Sequence, residues 1–343
     1  MFNRDIIVIG ASAGGVEALT RLVSHLPSDL PAALFVVMHF PSFGISVLPD
    51  ILNRAGSLKA LHPEDKAAIE LGKIYIAPPD YHLIVRRNHI RLSRSPRENG
   101  HRPAIDTLFR SAARAYKRRV VGVILSGTLD DGTAGLAIIK TFGGIAIVQD
   151  PEEALFDGMP RSAIENVAVD HILKVADIAS ILNDLTHDPV EEGETVSEGI
   201  DQEADIVAQD KAALEQGERP GNPAPLTCPD CGGVLWELGD GNLIRFRCHV
   251  GHAYSSDSLL AEQSDGVEKA LWSAVRSLEE KAALARRMAV QAHQQKRYLS
   301  EAQFRERAEE AKQHAALLRE VIYQQNENKV RSEEENGEGG IEG

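Results

Sequence analysis

Ile6-Ile7-Val8-Ile9-Gly10-Ala11-Ser12-Ala13-Gly14-Gly15 breaks a short apolar run into small residues around a single hydroxyl. β-Branched residues bounded by glycine read as a buried strand, and Val16-Glu17-Ala18-Leu19 reads as the start of a helix. Ser12 therefore sits on a tight strand-to-helix turn. Two chemistries use such a turn: a cradle in which helix N-terminal N–H groups hold a phosphate, and a nucleophile elbow that lifts a serine above the sheet edge. A dinucleotide fingerprint wants glycine at its second position so that backbone can meet pyrophosphate, and here Ser12 occupies it. Gly10-x-Ser12-x-Gly14 matches the elbow pattern, with a serine that merely caps the helix as the plain structural alternative.

The rest of the chain sets the frame for that turn. Its 343 residues are 43% hydrophobic, enough for a full α/β domain with additional modules. A net charge of -14 and a pI near 5.4 argue against nucleic acid or an anionic membrane as the general partner. No stretch approaches the roughly 20 apolar residues of a spanning helix. Met1-Phe2-Asn3-Arg4 leads into a strand and not a signal sequence, so a cytoplasmic location without membrane insertion is expected. All three cysteines, Cys228, Cys231 and Cys248, fall in one short segment, which in a reducing compartment points to metal ligation more than to disulfides.

From about residue 5 to 185, apolar strand-like runs alternate with helical patterns, the signature of an α/β fold with a doubly wound, mostly parallel sheet. Strands are expected at 6–9, 33–38, 120–125 and 144–148, with a β-rich excursion at 73–77, 82–85 and 89–92. A helix with Pro103 near its first turn runs to Tyr116, and Lys117-Arg118-Arg119 reads as its solvated end. This catalytic-type domain is assigned residues 1–187. Acidic residues crowd 188–226, which reads as a linker holding at most a marginal amphipathic helix at 206–214. A compact cysteine and histidine module follows at 227–260, expected to be independent of the first domain. Residues 261–328 read as a helical hairpin or coiled coil, opened by an Asp265/Glu268 capping pair, interrupted at 291–297 and resumed behind Ser300 and Gln303. The acidic, glycine-rich residues 329–343 are expected to be disordered.

A serine hydroxyl needs a base within about 3 Å and a third group to hold that base in one tautomer. In an open α/β sheet the ligand crevice lies beyond the carboxyl ends of the strands, so residues directly after apolar runs take priority. His39 follows the 33–38 run at once, and an imidazole titrating near about 6.5 suits a base. Asp130 and Asp131 lie in Ser126-Gly127-Thr128-Leu129-Asp130-Asp131-Gly132, after the 120–125 run, where aspartates beside glycine are commonly turn-formers.

Gly10-Ala11-Ser12-Ala13-Gly14-Gly15, Val37-Met38-His39-Phe40-Pro41, Ile74-Tyr75-Ile76-Ala77-Pro78-Pro79-Asp80-Tyr81-His82, His101-Arg102-Pro103, residues 122–132 and Gly158-Met159-Pro160-Arg161 occur in an order that resembles the catalytic domain of CheB-type protein-glutamate methylesterases. The resemblance implies Ser12 as nucleophile, His39 as base and Asp131 as the residue that orients it, with Asp130 a neighbour; the N–H of Ala13 is the oxyanion candidate. It further implies hydrolysis of glutamyl methyl esters on chemoreceptor helices, with glutamine deamidation as a related activity. A methyltransferase or histidine kinase is a further expected partner, and catalysis needs no cofactor. Thr128 and Leu129 depart from the family's usual methionine in that loop. The family usually carries an amino-terminal receiver domain, whereas here the catalytic pattern begins at the first residues; regulation is therefore expected to come from a partner, from the carboxy-terminal module, or not at all. A catalytically silent scaffold that binds a receptor or kinase is the competing reading, and a nucleotide-binding α/β protein the third.

Cys228-Pro229-Asp230-Cys231 and Cys248-His249-Val250-Gly251-His252 resemble the two knuckles of a zinc ribbon. Three thiolates and an imidazole would complete a tetrahedral, structural zinc site, with His252 preferred over His249 as the fourth ligand. So short a module could scarcely bury a sufficient core, whereas structural zinc supplies roughly 10 to 16 kcal/mol.

Overall fold

Two apolar faces on one sheet require strands whose side chains are buried on both sides, and the alternation along the first strands delivers this. The computed structural model describes residues 2–39, 46–190, 221–240 and 243–338. In chain order the elements are β1 (Phe2–Asn3), β2 (Ile6–Ala11), α1 (Gly15–His25), β3 (Ala33–Met38), α2 (Leu48–Ala55), β4 (Lys59–Leu61), β5 (Lys73–Ile76), β6 (His82–Arg86), β7 (His89–Ser93), α3 (Ile105–Tyr116), β8 (Val120–Ile124), α4 (Thr133–Thr141), β9 (Ile145–Gln149), α5 (Gly158–Asn166), β10 (His171–Leu173), α6 (Val175–His187) and β11 (Pro189–Val190). They continue with β12 (Asn222–Thr227), β13 (Val234–Asp240), β14 (Leu243–Cys248), β15 (Ala253–Ser255), α7 (Ser256–Gln294) and α8 (Tyr298–Glu338).

Seven strands form one parallel sheet in the order β10-β9-β8-β2-β3-β5-β4. Ile7 and Ile9 point to one face and pack with Leu19, Leu22, Ile178 and Leu182 of α1 and α6. Ile6 and Val8 point to the other and pack with Leu108, Phe109, Leu136 and Ile139 of α3 and α4. This is the doubly wound arrangement expected of continuous apolar strands. β2 is the switch point: the chain leaves it for β3 on one side and later returns to β8 on the other. The crevice such a reversal opens lies beyond the carboxyl ends of β2, β3 and β8. β6 and β7 form a separate hairpin, and β1 pairs with β11.

β12 to β15 make a four-stranded antiparallel sheet that belongs to the same compact unit, Met1–Leu260, as the large sheet. The expected independence of the cysteine module therefore does not hold. Buried Glu98 explains why, because it faces Arg110 at 2.5 Å and also Arg245 and Arg247, at 3.7 and 3.6 Å, from one face of β14. Residues 222–226, read from composition as linker, pair with β13 as an edge strand, where Pro223 and Pro225 are tolerated. The helix expected at 206–214 lies outside the described residues. Arg119, read as a solvated helix end, turns back to pair with Asp5 at 2.6 Å.

The second unit, Ala261–Gly343, holds most of α7 and all of α8. Trp272 meets Tyr323, Glu279 meets Arg319 at 2.7 Å and His293 meets Glu301 at 2.7 Å, an antiparallel register with a buried alanine seam at Ala282, Ala285, Ala289, Ala308, Ala311 and Ala315. α7 starts at Ser256 and not at Asp265, since Ser255 Oγ accepts the N–H of Ser258 at 3.1 Å and Ser258 Oγ accepts that of Ser255 at 3.0 Å. That reciprocal cap precedes the expected one. α8 likewise starts ahead of Ser300 and runs to Glu338, into the stretch expected to be disordered; its Glu, Lys and Arg residues are good helix formers.

Candidate active site

Ser12 follows the last residue of β2, His39 follows β3, and Asp131 lies in the loop after β8. The two neighbours of the switch-point strand thus deliver their loops to either side of the serine. Backbone bonds continue the ladder past the strand ends, with Leu125 N donating to Gly10 O at 2.9 Å, Ser12 N to Ser126 O at 2.9 Å and His39 N to Ala11 O at 3.2 Å. Ser126 clamps the elbow further: its Oγ donates to Ala13 O at 2.8 Å and accepts the N–H of Phe156 at 3.0 Å.

The turn itself is carried by Gly14, at φ 73°, and not by a strained serine, since Ser12 has no positive φ. A Cβ on Gly14 would come within 2.6 Å of Ser126 Oγ, and one on Gly127 within 2.9 Å of Ser12 Cβ. Both positions need the bare backbone. The N–H of Ala13, at the mouth of α1, donates to no acceptor among the described residues.

His39 lies between the other two side chains. Its Nδ1 is 3.1 Å from Ser12 Oγ and its Nε2 is 2.8 Å from Asp131 Oδ2. A carboxylate only accepts, so the proton sits on Nε2 and Nδ1 is left as an acceptor toward the serine. Asp131 Oδ2 also accepts the N–H of Ile105 at 2.8 Å; Oδ1 accepts Asn99 Nδ2 at 2.9 Å and the N–H of Asp106 at 3.2 Å. Burial works to raise its pKa, but the bond to His39 and the charge of that ring, together with the Ile105 N–H, outweigh it and hold the carboxyl well below the usual range.

Three further side chains surround this pair, and two of them, those of His101 and Asp106, were invisible to strand-end reasoning. The ring of His101 stacks on that of His39, centroids 3.6 Å apart, and burial followed by the charge of His39 pushes it down to about 4. His101 therefore stays neutral near pH 7. Asp106 accepts the N–H groups of Gly132 and Gly135, at 3.1 and 2.6 Å, on Oδ1; burial and then Asp131 push it up to about 6. Asp130 accepts Ser255 Oγ–H at 2.8 Å, and burial above all pushes it up to about 7. The carboxylate hydrogen-bonded to His39 is that of Asp131, while that of Asp130 is hydrogen-bonded to Ser255.

The second cluster is the cysteine module. Ligand atoms of Cys228, Cys231, Cys248 and His252 lie within 4.8 Å of one another, which lets these four residues hold a metal ion. Cys231 Sγ is 3.7 Å from Cys248 Sγ, and His252 Nδ1 is 3.6 and 3.5 Å from the sulfurs of Cys228 and Cys248. A tetrahedron with metal–sulfur bonds of about 2.3 Å and a metal–nitrogen bond of about 2.0 Å has edges of about 3.5 to 3.8 Å, so the donor set fits. His249 is not part of the cluster.

Residues 7–182 match the family described as CheB methylesterase. A Leptospira interrogans relative, provisionally named protein-glutamate methylesterase/protein-glutamine glutaminase, is 38% identical over 191 residues, covering 55% of this chain and 99% of its own length. A Treponema pallidum protein-glutamate methylesterase/protein-glutamine glutaminase is 36% identical over 52% of this chain and 45% of its own. The crystal structure of the Thermotoga maritima CheB methylesterase catalytic domain aligns with a TM-score of 0.51 at 35% identity, covering 53% of this chain and 98% of that one. These matches span the large sheet and leave the cysteine module and the helices beyond it unmatched.

Proposed function

Because the chain belongs to the CheB methylesterase family, we propose that it hydrolyses glutamyl methyl esters on chemoreceptor helices, with deamidation of glutamine as the related reaction. What carries the reading is the single imidazole that bridges Ser12 Oγ and Asp131 at the switch point of the sheet. Ser12 Oγ attacks the ester carbonyl while His39 Nδ1 takes its proton. The N–H of Ala13 receives the developing oxyanion, a contact worth roughly 3 to 4 kcal/mol where it forms. The imidazolium formed is stabilised by Asp131, and it returns the proton to the departing methoxide, so methanol leaves and Ser12 carries the acyl group. Water then attacks that acyl carbon with its proton passing to Nδ1, and free glutamate and Ser12 are restored. With a glutamine side chain the leaving group is ammonia and the rest is unchanged. His101, kept neutral, shields one face of the His39 ring without competing for its charge.

In this reading Cys228, Cys231, Cys248 and His252 hold a structural zinc ion. Four protein ligands leave no open position, so the ion stabilises its knuckles and takes no part in the hydrolysis. The test is to incubate the full chain with receptor membranes carrying isotopically labelled methyl esters. Release of labelled methanol with glutamate left at the former ester sites is expected; esters that stay intact with enzyme in excess would contradict the reading.

A further inference from the structure

Asn99 joins the two clusters. It sits at φ 52° in a turn closed by Glu98 and His101, and it is 4% exposed. Its Nδ2 donates to Asp131 Oδ1 at 2.9 Å and to Asp106 Oδ2 at 3.1 Å. Its Oδ1 accepts the N–H of Ser255 at 2.9 Å and the Oγ–H of Ser258 at 3.1 Å. Both protons and both lone pairs of the amide are used, and a backbone N–H can only donate, so the amide has one permitted orientation. That orientation places two N–H groups between two buried carboxylates that would otherwise face each other unscreened.

The donors that orient the amide come from the cysteine module and not from the large sheet. Ser255 ends β15, which begins directly after His252. The backbone of β15 also grips the turn, since Asn99 N donates to Ala253 O at 2.7 Å and Ala253 N donates to Arg97 O at 3.2 Å. Ser255 Oγ reaches Asp130, the residue before Asp131, at 2.8 Å. On the other side of Asn99, Glu98 is held by Arg245 and Arg247 of β14. The module therefore grasps both the loop that carries Asp131 and the turn that carries His101, whose ring lies on His39.

We propose that Asn99 is a positioning residue for Asp131, and that the cysteine module, folded around its metal ion, is the part of the chain that holds Asn99 in place. The proposal rests on the reading of Ser12, His39 and Asp131 as the reacting groups. Without the amide, Asp131 Oδ1 keeps one donor of two and the carboxylate is free to turn away from His39 Nε2. Loss of such a supporting contact lowers turnover by roughly 10- to 100-fold. Substrate binding, which does not involve Asn99, is left alone.

The experiment uses the full chain and two readouts, methanol release and the proton NMR resonance of His39 Nε2–H in its bond to Asp131. Asn99→Ala is expected to lower kcat by roughly 10- to 100-fold with KM within about twofold, and to shift or broaden that resonance. Ser258→Ala, which removes one hydroxyl and leaves the backbone donor of Ser255 in place, is expected to give a smaller change in the same direction and guards against a fold defect in the first variant. Removing zinc with a chelator should move the His39 resonance as Asn99→Ala does, and adding zinc back should restore it. An unchanged resonance and kcat in Asn99→Ala overturns the positioning role. A resonance and kcat that respond to Asn99→Ala but not to zinc removal overturn the part assigned to the module. Failure of the underlying reading looks different: the wild-type chain itself would release no methanol.

Discussion

Asp131→Asn separates charge and tautomer from shape. The carboxylate takes four hydrogen bonds, from His39 Nε2 and Ile105 N on Oδ2 and from Asn99 Nδ2 and Asp106 N on Oδ1. An amide offers one oxygen. With its nitrogen at the Oδ1 position it confronts two donors, Asn99 and Asp106. With its nitrogen at the Oδ2 position it confronts only Ile105 N–H and donates to His39 Nε2. Each confronted buried donor costs about 1 to 3 kcal/mol, so the second arrangement prevails. It forces the ring proton onto Nδ1, and Ser12 Oγ, 3.1 Å away, loses its acceptor. The expected fall in kcat is about 10⁴-fold, the size that a wrong tautomer produces in serine hydrolases, with a stability loss of about 1 to 3 kcal/mol. Methanol release reads the first and urea unfolding the second. A variant within tenfold of wild type, with Ser12 still labelled by a fluorophosphonate at the wild-type rate, would refute the role given to the Asp131 carboxylate.

Other outcomes follow from the same network. Glu98→Ala leaves three buried arginines without their common carboxylate and should cost about 3 to 5 kcal/mol in urea unfolding. In the native chain burial opposes, but Arg110, Arg247 and Arg245 outweigh it and draw the Glu98 carboxyl from 4.5 down to about 2. Its stabilisation is thus complete above about pH 4.5 and drains away as the pH falls toward 2, which acid titration of the wild type against Glu98→Ala will show. Asp130 has the opposite sign: raised from 3.8 to about 7 by burial and then by Asp106, Asp257 and Asp131, it makes folding less favourable as the pH climbs through that window. Asp130→Asn keeps an oxygen for Ser255, so its melting temperature relative to wild type should rise from pH 5 to pH 8. Elemental analysis should find one zinc ion per chain, and Cys248→Ser should abolish it and raise the accessibility of the Trp236 strand to hydrogen exchange.

The first half of the molecule was legible because its signals are local. The run 33–38 forms β3 with those bounds, and a histidine directly after it can only emerge at the sheet edge. The same logic placed Asp131 beyond β8, although the sequence could not distinguish it from Asp130; that distinction came from the resemblance and is drawn in space by the 2.8 Å bond to His39 Nε2. Asn99 was illegible because every partner that gives it meaning is distant or non-periodic: Asp131 is 32 residues away and Ser255 is 156. The start of α7 was misplaced for a related reason. Ser255/Ser258 and Asp265/Glu268 are both competent caps, and the end of β15 decides between them. Independence of the cysteine module was inferred from the acidic stretch before it, whereas Arg245 and Arg247 reveal their buried partner only once the sheet is assembled.

The claim at the centre of this account is that Ser12 carries the acyl group, and methanol release from methylated receptor membranes by the full chain and by Ser12→Ala measures it directly. Ser12→Ala is expected to lose at least about 10⁴-fold in kcat with the fold intact, as when the nucleophile of a triad is removed. Methanol released by Ser12→Ala at the wild-type rate would contradict it.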